Sequence, residues 1–324
     1  MKNFKKLLTI FATAAILFVS CGNASVDANG CYYDIDDAVK AAEKNNQDIM
    51  IIVTIEGDDL QSEDFLNKVV RTPAFKTDVA SKFAVVCMDF SQSTYESSVV
   101  KDDAKATEKK AAERQADLIQ KNTKYAAKLN VQQTPVVYIL SKEQYLISGL
   151  FYDDENRTVE GFKAVLDEKA SSIEDIHKMI YQTKIGNAEE KVAAIDELYE
   201  ATAPDYRLFL IDLIESVKKI DPSNTTGLVG KYVYASADIR SNLAAINGDA
   251  KAAIQAYLDL ENEETVPAEV RQEAIYTAAY LAASAGIADN AVVISYLEKS
   301  IQVAPDSEKV PAIRRVIEAL SAQE

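Results

Sequence analysis

Histidine and cysteine, which supply most nucleophile–base pairs and many metal sites, are scarce in this chain of 324 residues. There are three cysteines and a single histidine, His177. His177 lies far in sequence from the loops that could hold chemistry, so neither a Ser–His nor a Cys–His pair has support. A lone histidine in a helical segment is more often a surface or packing residue. Two cysteines beyond Cys21 do not form a disulfide framework.

Positive charge is also in short supply. The chain has 35 Lys and Arg against 51 Asp and Glu, a formal net charge of −16 at pH 7. This balance argues against binding nucleic acid or a bare anionic membrane. No stretch after Ser20 is apolar enough to span a bilayer. The 48% hydrophobic content is typical of a packed globular protein, and the length suffices for two domains.

The N-terminal segment has the pattern of a secretory signal. Three lysines precede an apolar run within Met1–Ser20. The sequence from Leu17 to Gly22 resembles the bacterial lipobox, in which the cysteine, here Cys21, is acylated and becomes the mature N-terminus. Phe18 stands where that pattern has Leu or Val, and the alternative is an ordinary signal peptide with an incidental cysteine. We expect a lipid-anchored protein of the bacterial cell envelope, facing the periplasm or the outer surface.

Two nearly unbroken apolar runs, Ile49–Val53 and Ala84–Met88, predict strands covered on both faces. The loop Glu56–Ser62 and a helix to about Lys68 lie between them. A covered strand leading through a loop into a helix is where α/β proteins place their chemistry.

Further elements complete a predicted α/β domain over residues 32–170. The predicted segments are a helix at 34–43, a helix at 74–82 after the break Thr72–Pro73, a polar insertion at 91–96, a charged helix at 101–110, a docked helix at 118–129, strands at 131–140 and 145–149, and a closing helix at 159–170. The charged insertion at about 91–117 predicts a solvated helix, with a partner-binding arm as the alternative.

Strand patterns vanish after Ile173. Ile246–Ile254 and Ala285–Ile294 share one motif, in which a helix ends at Gly and Asp caps the next. Their separation of about 40 residues is near the tetratricopeptide period, although the fuller signature is absent. The sequence predicts a signal peptide at 1–20, a lipidated tether at 21–31, the α/β domain at 32–170 and an all-α tetratricopeptide-like domain of helical hairpins at 171–324.

The order of elements in residues 32–170 resembles the thioredoxin superfamily, above all exported members with a Phe-Thr-Gly-Ser-x-Trp-Cys-x-x-Cys segment. Val53-Thr54 falls on the Phe-Thr of that segment, and Asp59-Leu60-Gln61-Ser62 falls on the Cys-x-x-Cys. Residues 65–75 match the helix that follows, and 83–90 match the second strand. Thr134-Pro135 matches the proline that is cis in this fold. The resemblance implies a central mixed sheet flanked by helices.

The chemical centre of that family is missing here. Thiol–disulfide exchange needs a thiolate at the helix N-terminus and a second thiol to resolve the mixed disulfide. Asp59 cannot attack sulfur, the Ser62 hydroxyl is too weakly acidic to resolve, and the chain has no Trp. Glu56, Asp58 and Asp59 invite a Ca²⁺ reading, but their spacing lacks the EF-hand pattern, so we expect neither metal nor cofactor.

These observations favour a non-enzymatic, membrane-tethered protein with a redox-inactive thioredoxin-like domain that binds a protein or peptide or serves as a scaffold. Thr134 and Pro135 are the candidate peptide-binding groove, because the residue before a cis proline can pair its backbone with an extended peptide. The concave face of the helical array is a second candidate surface. The enzymatic alternative is a thiol–disulfide role for Cys31 and Cys87. A purely structural envelope protein is a third.

Overall fold

The computed structural model describes residues 26–322. Its first part is a mixed sheet of five strands flanked by helices, and its second part is helical. At this level the predicted fold class is confirmed. The predicted signal peptide and Cys21 lie outside the described residues. Within 26–322, no helix combines the length and the apolar character that a membrane crossing requires.

The sheet has the strand order β1-β3-β2-β4-β5. Its strands are β1 Cys31–Tyr32, β2 Asp48–Thr54, β3 Phe83–Asp89, β4 Val136–Leu140 and β5 Leu146–Phe151. β1 and β2 run parallel to β3, whereas β4 is antiparallel to both β2 and β5. Every residue of β2 from Ile49 to Thr54 is buried, because helices cover both faces of this central strand. The two predicted apolar strands are confirmed.

Six helices surround the sheet. They are α1 Ile35–Asn45, α2 Leu60–Phe65, α3 Pro73–Asp78, α4 Gln92–Ser97, α5 Ala106–Lys128 and α6 Val159–Gln182, with a π-helical turn Leu66–Val70 after α2. Phe65, Phe75 and Phe162 pack with one face of the sheet. Ile35, from α1, and Leu129, directly after α5, belong to the core on the other face.

The predicted boundaries around the insertion need correction. Residues 91–96, expected as a polar insertion, largely form α4, because the Ser91 hydroxyl caps the Thr94 amide at 3.3 Å. The charged helix begins at Ala106 rather than Lys101 and runs to Lys128 without a break. The third strand begins at Val136 rather than Val131, after a cis Thr134–Pro135 peptide. Proline has no amide hydrogen to donate to a sheet ladder.

The closing helix does not end at Ala170 as predicted. α6 continues to Gln182 as one helix. Ile173 packs against the sheet core that contains Phe162, whereas Ile176 and Ile180 belong to a core of the helical part. The spacing of Ile173, Ile176 and Ile180 gives α6 one continuous apolar face beyond the predicted end at Ala170. This continuous face favours a single helix.

The helical part contains seven further α-helices within the described residues. They are α7 Ala188–Ala201, α8 Ile211–Ile220, α9 Val229–Ile246, α10 Ala250–Leu258, α11 Ala268–Ser284, α12 Asn290–Val303 and α13 Val310–Ser321, with a 3₁₀ segment Pro204–Leu210 before α8. The predicted Gly-Asp turns are confirmed, since Gly248 and Gly286 have φ of 75° and 63°. Asp249 and Asp289 cap the helices that follow.

The 3₁₀ segment packs the helical part directly against the sheet. The ring centroids of Tyr206 and Tyr138 lie 6.4 Å apart, and those of Phe209 and Tyr125 lie 6.0 Å apart. Both Tyr206 and Phe209 pack against the core that α1 and α5 form with the sheet. The two parts of the molecule therefore share apolar contacts.

Candidate functional site

The loop that contains Asp59–Ser62 and the candidate groove at Thr134–Pro135 lie at one end of the sheet. β2 and β3 are parallel, so their carboxyl ends lie at the same edge, and the antiparallel β4 begins there. Val53 pairs with Val136, the first residue of β4, so Thr134–Pro135 lies at the end of the sheet where β2 leads into the loop. The loop before α2 and the Thr134–Pro135 peptide therefore lie at the same end of the sheet, as the order of elements predicts.

Asp59 and Ser62 close this loop with hydrogen bonds. Asp59 is the N-cap of α2, and its carboxylate accepts from the backbone amides of Gln61 at 3.2 Å and Ser62 at 2.9 Å. The Ser62 hydroxyl donates to Asp59 Oδ2 at 2.7 Å and accepts from the Ile55 amide at 3.2 Å. Burial alone would raise the pKa of Asp59, but the hydrogen bonds from Ser62 and Gln61 outweigh it and lower that pKa.

In this arrangement the Ser62 hydroxyl is not available as a nucleophile. Its side chain is fully buried, and its oxygen already both donates and accepts. No base other than Asp59 holds its hydroxyl proton, and the lowered pKa of Asp59 makes that carboxylate a weak base. The four residues Asp59–Ser62 therefore have neither the sulfur nor the activated hydroxyl that covalent chemistry needs.

Leu60 is the most exposed large apolar side chain of this region. It is the first residue of α2, and 84% of its surface is exposed. Gln61 beside it is also exposed. Exposure of a single leucine is ordinary, but here it stands at the end of a loop that hydrogen bonds hold rigidly. The sequence places Leu60 in the loop without indicating which way its side chain faces.

The predicted groove at Thr134–Pro135 is closed on its inner side. Pro135 is buried and lines a junction with Phe65, Tyr152 and Phe162 that has no space for a water molecule. Thr134 remains partly exposed. A peptide could therefore reach only the outer, Thr134 side of this proline.

Asp89 is a structural centre of the loop that sequence reasoning missed. Its carboxylate accepts from the Glu56 amide at 2.8 Å and from the Ser91 hydroxyl at 2.6 Å. It also accepts from the Thr94 hydroxyl. The available signal is an acid at the end of a buried strand that is followed by a Ser and Thr cluster.

Glu56 and Asp58, two of the acids considered as Ca²⁺ ligands, have other partners. Glu56 Oε1 forms an ion pair with Arg71 Nη2 at 2.6 Å. Asp58 accepts from the Gln92 amide and so ties the start of α4 to the loop. Within residues 26–322, no three His, Cys, Asp or Glu side chains are arranged as metal ligands.

Cys31 and Cys87, the alternative redox pair, lie on neighbouring strands. Cys31 pairs with Val85, so Cys87 is two residues further along on the same face of the sheet. Cys31 is fully buried, and Cys87 is partly buried. Hydrogen bonding to the Cys31 thiol and burial raise the pKa of Cys87 well above the ordinary thiol value. Less thiolate is then present at neutral pH, so Cys87 should react slowly with an external disulfide.

His177 has a specific partner that its sequence position does not reveal. Its Nε2 lies 2.9 Å from Oδ2 of Asp48, the first residue of β2, at the end of the sheet opposite the loop. The hydrogen bond to Asp48 raises the pKa of His177. Both residues line a surface cavity of about 360 Å³ between α6 and the sheet.

Comparison with known proteins finds a family match within the helical part. A family described as "Uncharacterised protein C-terminal domain" matches residues 228–324, from one residue before α9 onward. No curated protein matches the chain. A solved structure titled "DsbH Oxidoreductase" is 12% identical, with a TM-score of 0.30, and the alignment covers 46% of this chain and 91% of that one. A TM-score at this level does not establish a shared fold.

Proposed function

We propose that this protein is held at a membrane of the bacterial cell envelope by a lipid on Cys21 and binds a protein or peptide. The binding domain is thioredoxin-like and redox-inactive. Support for the fold comes from the strand order β1-β3-β2-β4-β5, with β4 antiparallel, and from Asp59–Ser62 at the mouth of the parallel strands. The signal-like segment Met1–Ser20 and the cysteine after it support the anchor.

Leu60 carries the binding proposal. An 84% exposed leucine projects from a loop held by hydrogen bonds of Asp59, Ser62 and Asp89, so the loop loses little conformational freedom when a partner covers this side chain. Thr134 lies at the same end of the sheet, two residues before β4. The two residues define a surface, here called the loop surface, suited to an extended segment with an apolar side chain.

The helical part supplies a second candidate surface. Its neighbouring helices pack in sequence from α9 to α13, and the Gly-Asp turns recur before α10 and α12. We propose that this is a tetratricopeptide-like array whose concave face contributes to a scaffold role.

Site-specific crosslinking in cells tests the loop surface. A photoreactive residue at position 60 should capture a discrete partner, whereas the same residue at Ile287, which is 44% exposed in the turn before α12, should not. With that partner purified, Leu60→Asp and Thr134→Arg should each weaken binding by about tenfold or more, since they touch the centre of the surface. Ile287→Asp should change binding less than about twofold. Equal binding by all four proteins would remove the loop surface from the proposal.

Cell fractionation tests the anchor separately. Cys21→Ala should move the protein from the membrane fraction to the soluble fraction, because the acyl chains supply the membrane affinity. Mass spectrometry of the wild-type N-terminal peptide should show acylated Cys21. An unmodified wild-type N-terminus would contradict the anchor and leave the loop surface standing.

The competing function is thiol–disulfide exchange through Cys31 and Cys87. The neighbouring positions of the two cysteines favour it, and their burial disfavours it. The two residues are close, but Cys31 is fully buried and the pKa of Cys87 is raised. An insulin-reduction assay should show no turnover above that of the Cys31→Ala variant. Turnover that depends on cysteine would favour the enzymatic alternative.

A further inference from the structure

The two free cysteines of the sheet lie at the point where the N-terminal segment joins the domain. β1 contains only Cys31 and Tyr32 and pairs with β3 alone, in register with Val85 and Val86. Side chains alternate between the faces of a strand, so Cys31, Val85 and Cys87 share one face. Cys31 and Cys87 also belong to the same apolar core.

The local chemistry connects the two thiols to each other rather than to solvent. The neighbouring Cys31 and burial together raise the pKa of the Cys87 thiol. Cys31 is fully buried, while Cys87 retains some exposure. Cys87 is therefore the more exposed residue of the pair, and Cys31 is the more deeply buried one.

β1 is short and lies at the edge of the sheet, with a neighbouring strand on one side only. Outside its short ladder with β3, the chain before it is held mainly by polar contacts, in which Asp27 Oδ1 accepts from the amides of Asn29 and Cys31 at 2.8 Å each. Lys76 Nζ donates to the Ala28 carbonyl at 2.8 Å. Because β1 pairs with β3 alone, movement of β1 would leave the ladders of β2, β4 and β5 intact. A disulfide requires such a movement, because it must bring the two sulfur atoms to about 2.05 Å.

We propose that Cys31 and Cys87 form an intramolecular disulfide that staples the N-terminal segment to the edge of the sheet. The oxidant is a disulfide, either a small molecule or a protein. The Cys87 thiolate attacks it, forms a mixed disulfide and releases one thiol. The Cys31 thiolate then attacks Cys87 Sγ, the Cys31–Cys87 bond forms, and the second thiol leaves. Two protons and two electrons pass from the cysteine pair to the oxidant, which ends as two thiols.

The bond would stabilise the domain because it closes the chain between residues 31 and 87 into a loop and so restricts the unfolded state. It would also fix the segment that connects the proposed membrane anchor to the sheet. The exported location given by the proposed function permits such a bond, although its formation in vitro does not depend on that location.

Oxidation of the full-length chain carrying Cys21→Ser tests the staple, because only the two thiols of interest remain. Treatment with oxidised glutathione should lower the mass by two hydrogens, and digestion without reductant should yield linked Cys31 and Cys87 peptides. The midpoint of thermal unfolding should rise by about 5 °C and return on reduction. The rate of oxidation should increase with pH beyond the ordinary thiol range, because the raised pKa of Cys87 limits the thiolate.

Cys31→Ala and Cys87→Ala, each in the Cys21→Ser chain, are the matched controls. Cys87→Ala should resist the reagent, whereas Cys31→Ala should stop at a stable glutathione adduct on Cys87, and neither should gain thermal stability. Should either variant fail to fold, the linked peptides from the parent chain decide the question. Accumulation of a glutathione adduct in the parent chain, or persistence of two free thiols after prolonged oxidation, would overturn the staple.

Discussion

The Ser62 hydroxyl donates a 2.7 Å hydrogen bond to Oδ2 of Asp59 across the first turn of α2. These are the two positions at which the resemblance to thioredoxin-like proteins places the redox cysteines. An acid and a hydroxyl stand there, joined to each other and to the backbone. The pair forms a helix cap, which stabilises local structure and leaves an apolar side chain, Leu60, exposed beside it.

Loss of the Asp59 cap should destabilise the protein. Asp59→Ala removes the acceptor for two backbone amides and for the buried Ser62 hydroxyl, so we expect a loss of about 1–2 kcal/mol in the free energy of unfolding. Urea denaturation measures it. Asp59→Asn, which keeps a capping oxygen, should lose less. An Asp59→Ala variant as stable as wild type would show that the cap does not hold the loop.

The same cap should give a specific pH dependence. Since the pKa of Asp59 is lowered in the folded state, its charged form adds stability that is fully present above the ordinary carboxyl pKa, about 3.9. That stability is lost as pH falls through the lowered folded value. The stability difference between wild type and Asp59→Asn should therefore shrink below about pH 4. A difference that stays constant on acidification would contradict the lowered pKa.

The His177–Asp48 pair should stabilise the contact between α6 and the sheet under acidic conditions. The pKa of His177 is raised, so its contribution is fully present below the ordinary histidine value of about 6.5 and is lost as pH rises through the higher folded value. His177→Gln should thus cost more stability at pH 5.5 than at pH 9. NMR titration of the imidazole, the only one in the chain, should give a pKa above 6.5. A value at or below 6.5 would rule out the pairing.

Restoring sulfur tests whether Asp59 and Ser62 occupy the redox positions. The double variant Asp59→Cys, Ser62→Cys should carry one thiol whose pKa lies below the ordinary value of about 8.5, because position 59 caps a helix N-terminus. It should also reduce insulin faster than the wild type. Two unreactive thiols of ordinary pKa at these positions would mean that the loop lacks the required geometry. The same measurements on the Cys21→Ser chain show what the native thiols Cys31 and Cys87 contribute.

Gly230 marks a close approach between α9 and the turn before α11. A Cβ at this position would lie 2.0 Å from the Thr265 carbonyl oxygen. Gly230→Ala should therefore cost about 2 kcal/mol, since backbone rather than a flexible side chain must move. Gly149→Ala is the control, because its nearest neighbour, Tyr138 Cε1, is 3.6 Å away. Equal unfolding midpoints for the two variants would contradict the packing of α9.

Local patterns were sufficient for much of the fold. The apolar runs in β2 and β3 were correctly predicted as covered strands, because a strand buried on both faces needs apolar residues at successive positions. Gly248-Asp249 and Gly286-Asp289 were correctly predicted as turns, because a positive φ and a helix cap each favour particular residues. The end of α6 was wrongly predicted, because its apolar stripe passes from one core to another.

The sequence by itself determined which chemistry is missing. Asp59 and Ser62 contain no sulfur, and no folding can supply it. Only the tertiary structure decided how the remaining groups are used. The Glu56 amide meets Asp89 from 33 residues away, and His177 meets Asp48 from 129 residues away. Strand register brings Cys31 beside Cys87 in the same way. Such contacts depend on how elements distant in sequence pack together, and the spacing of nearby residues does not predict that packing.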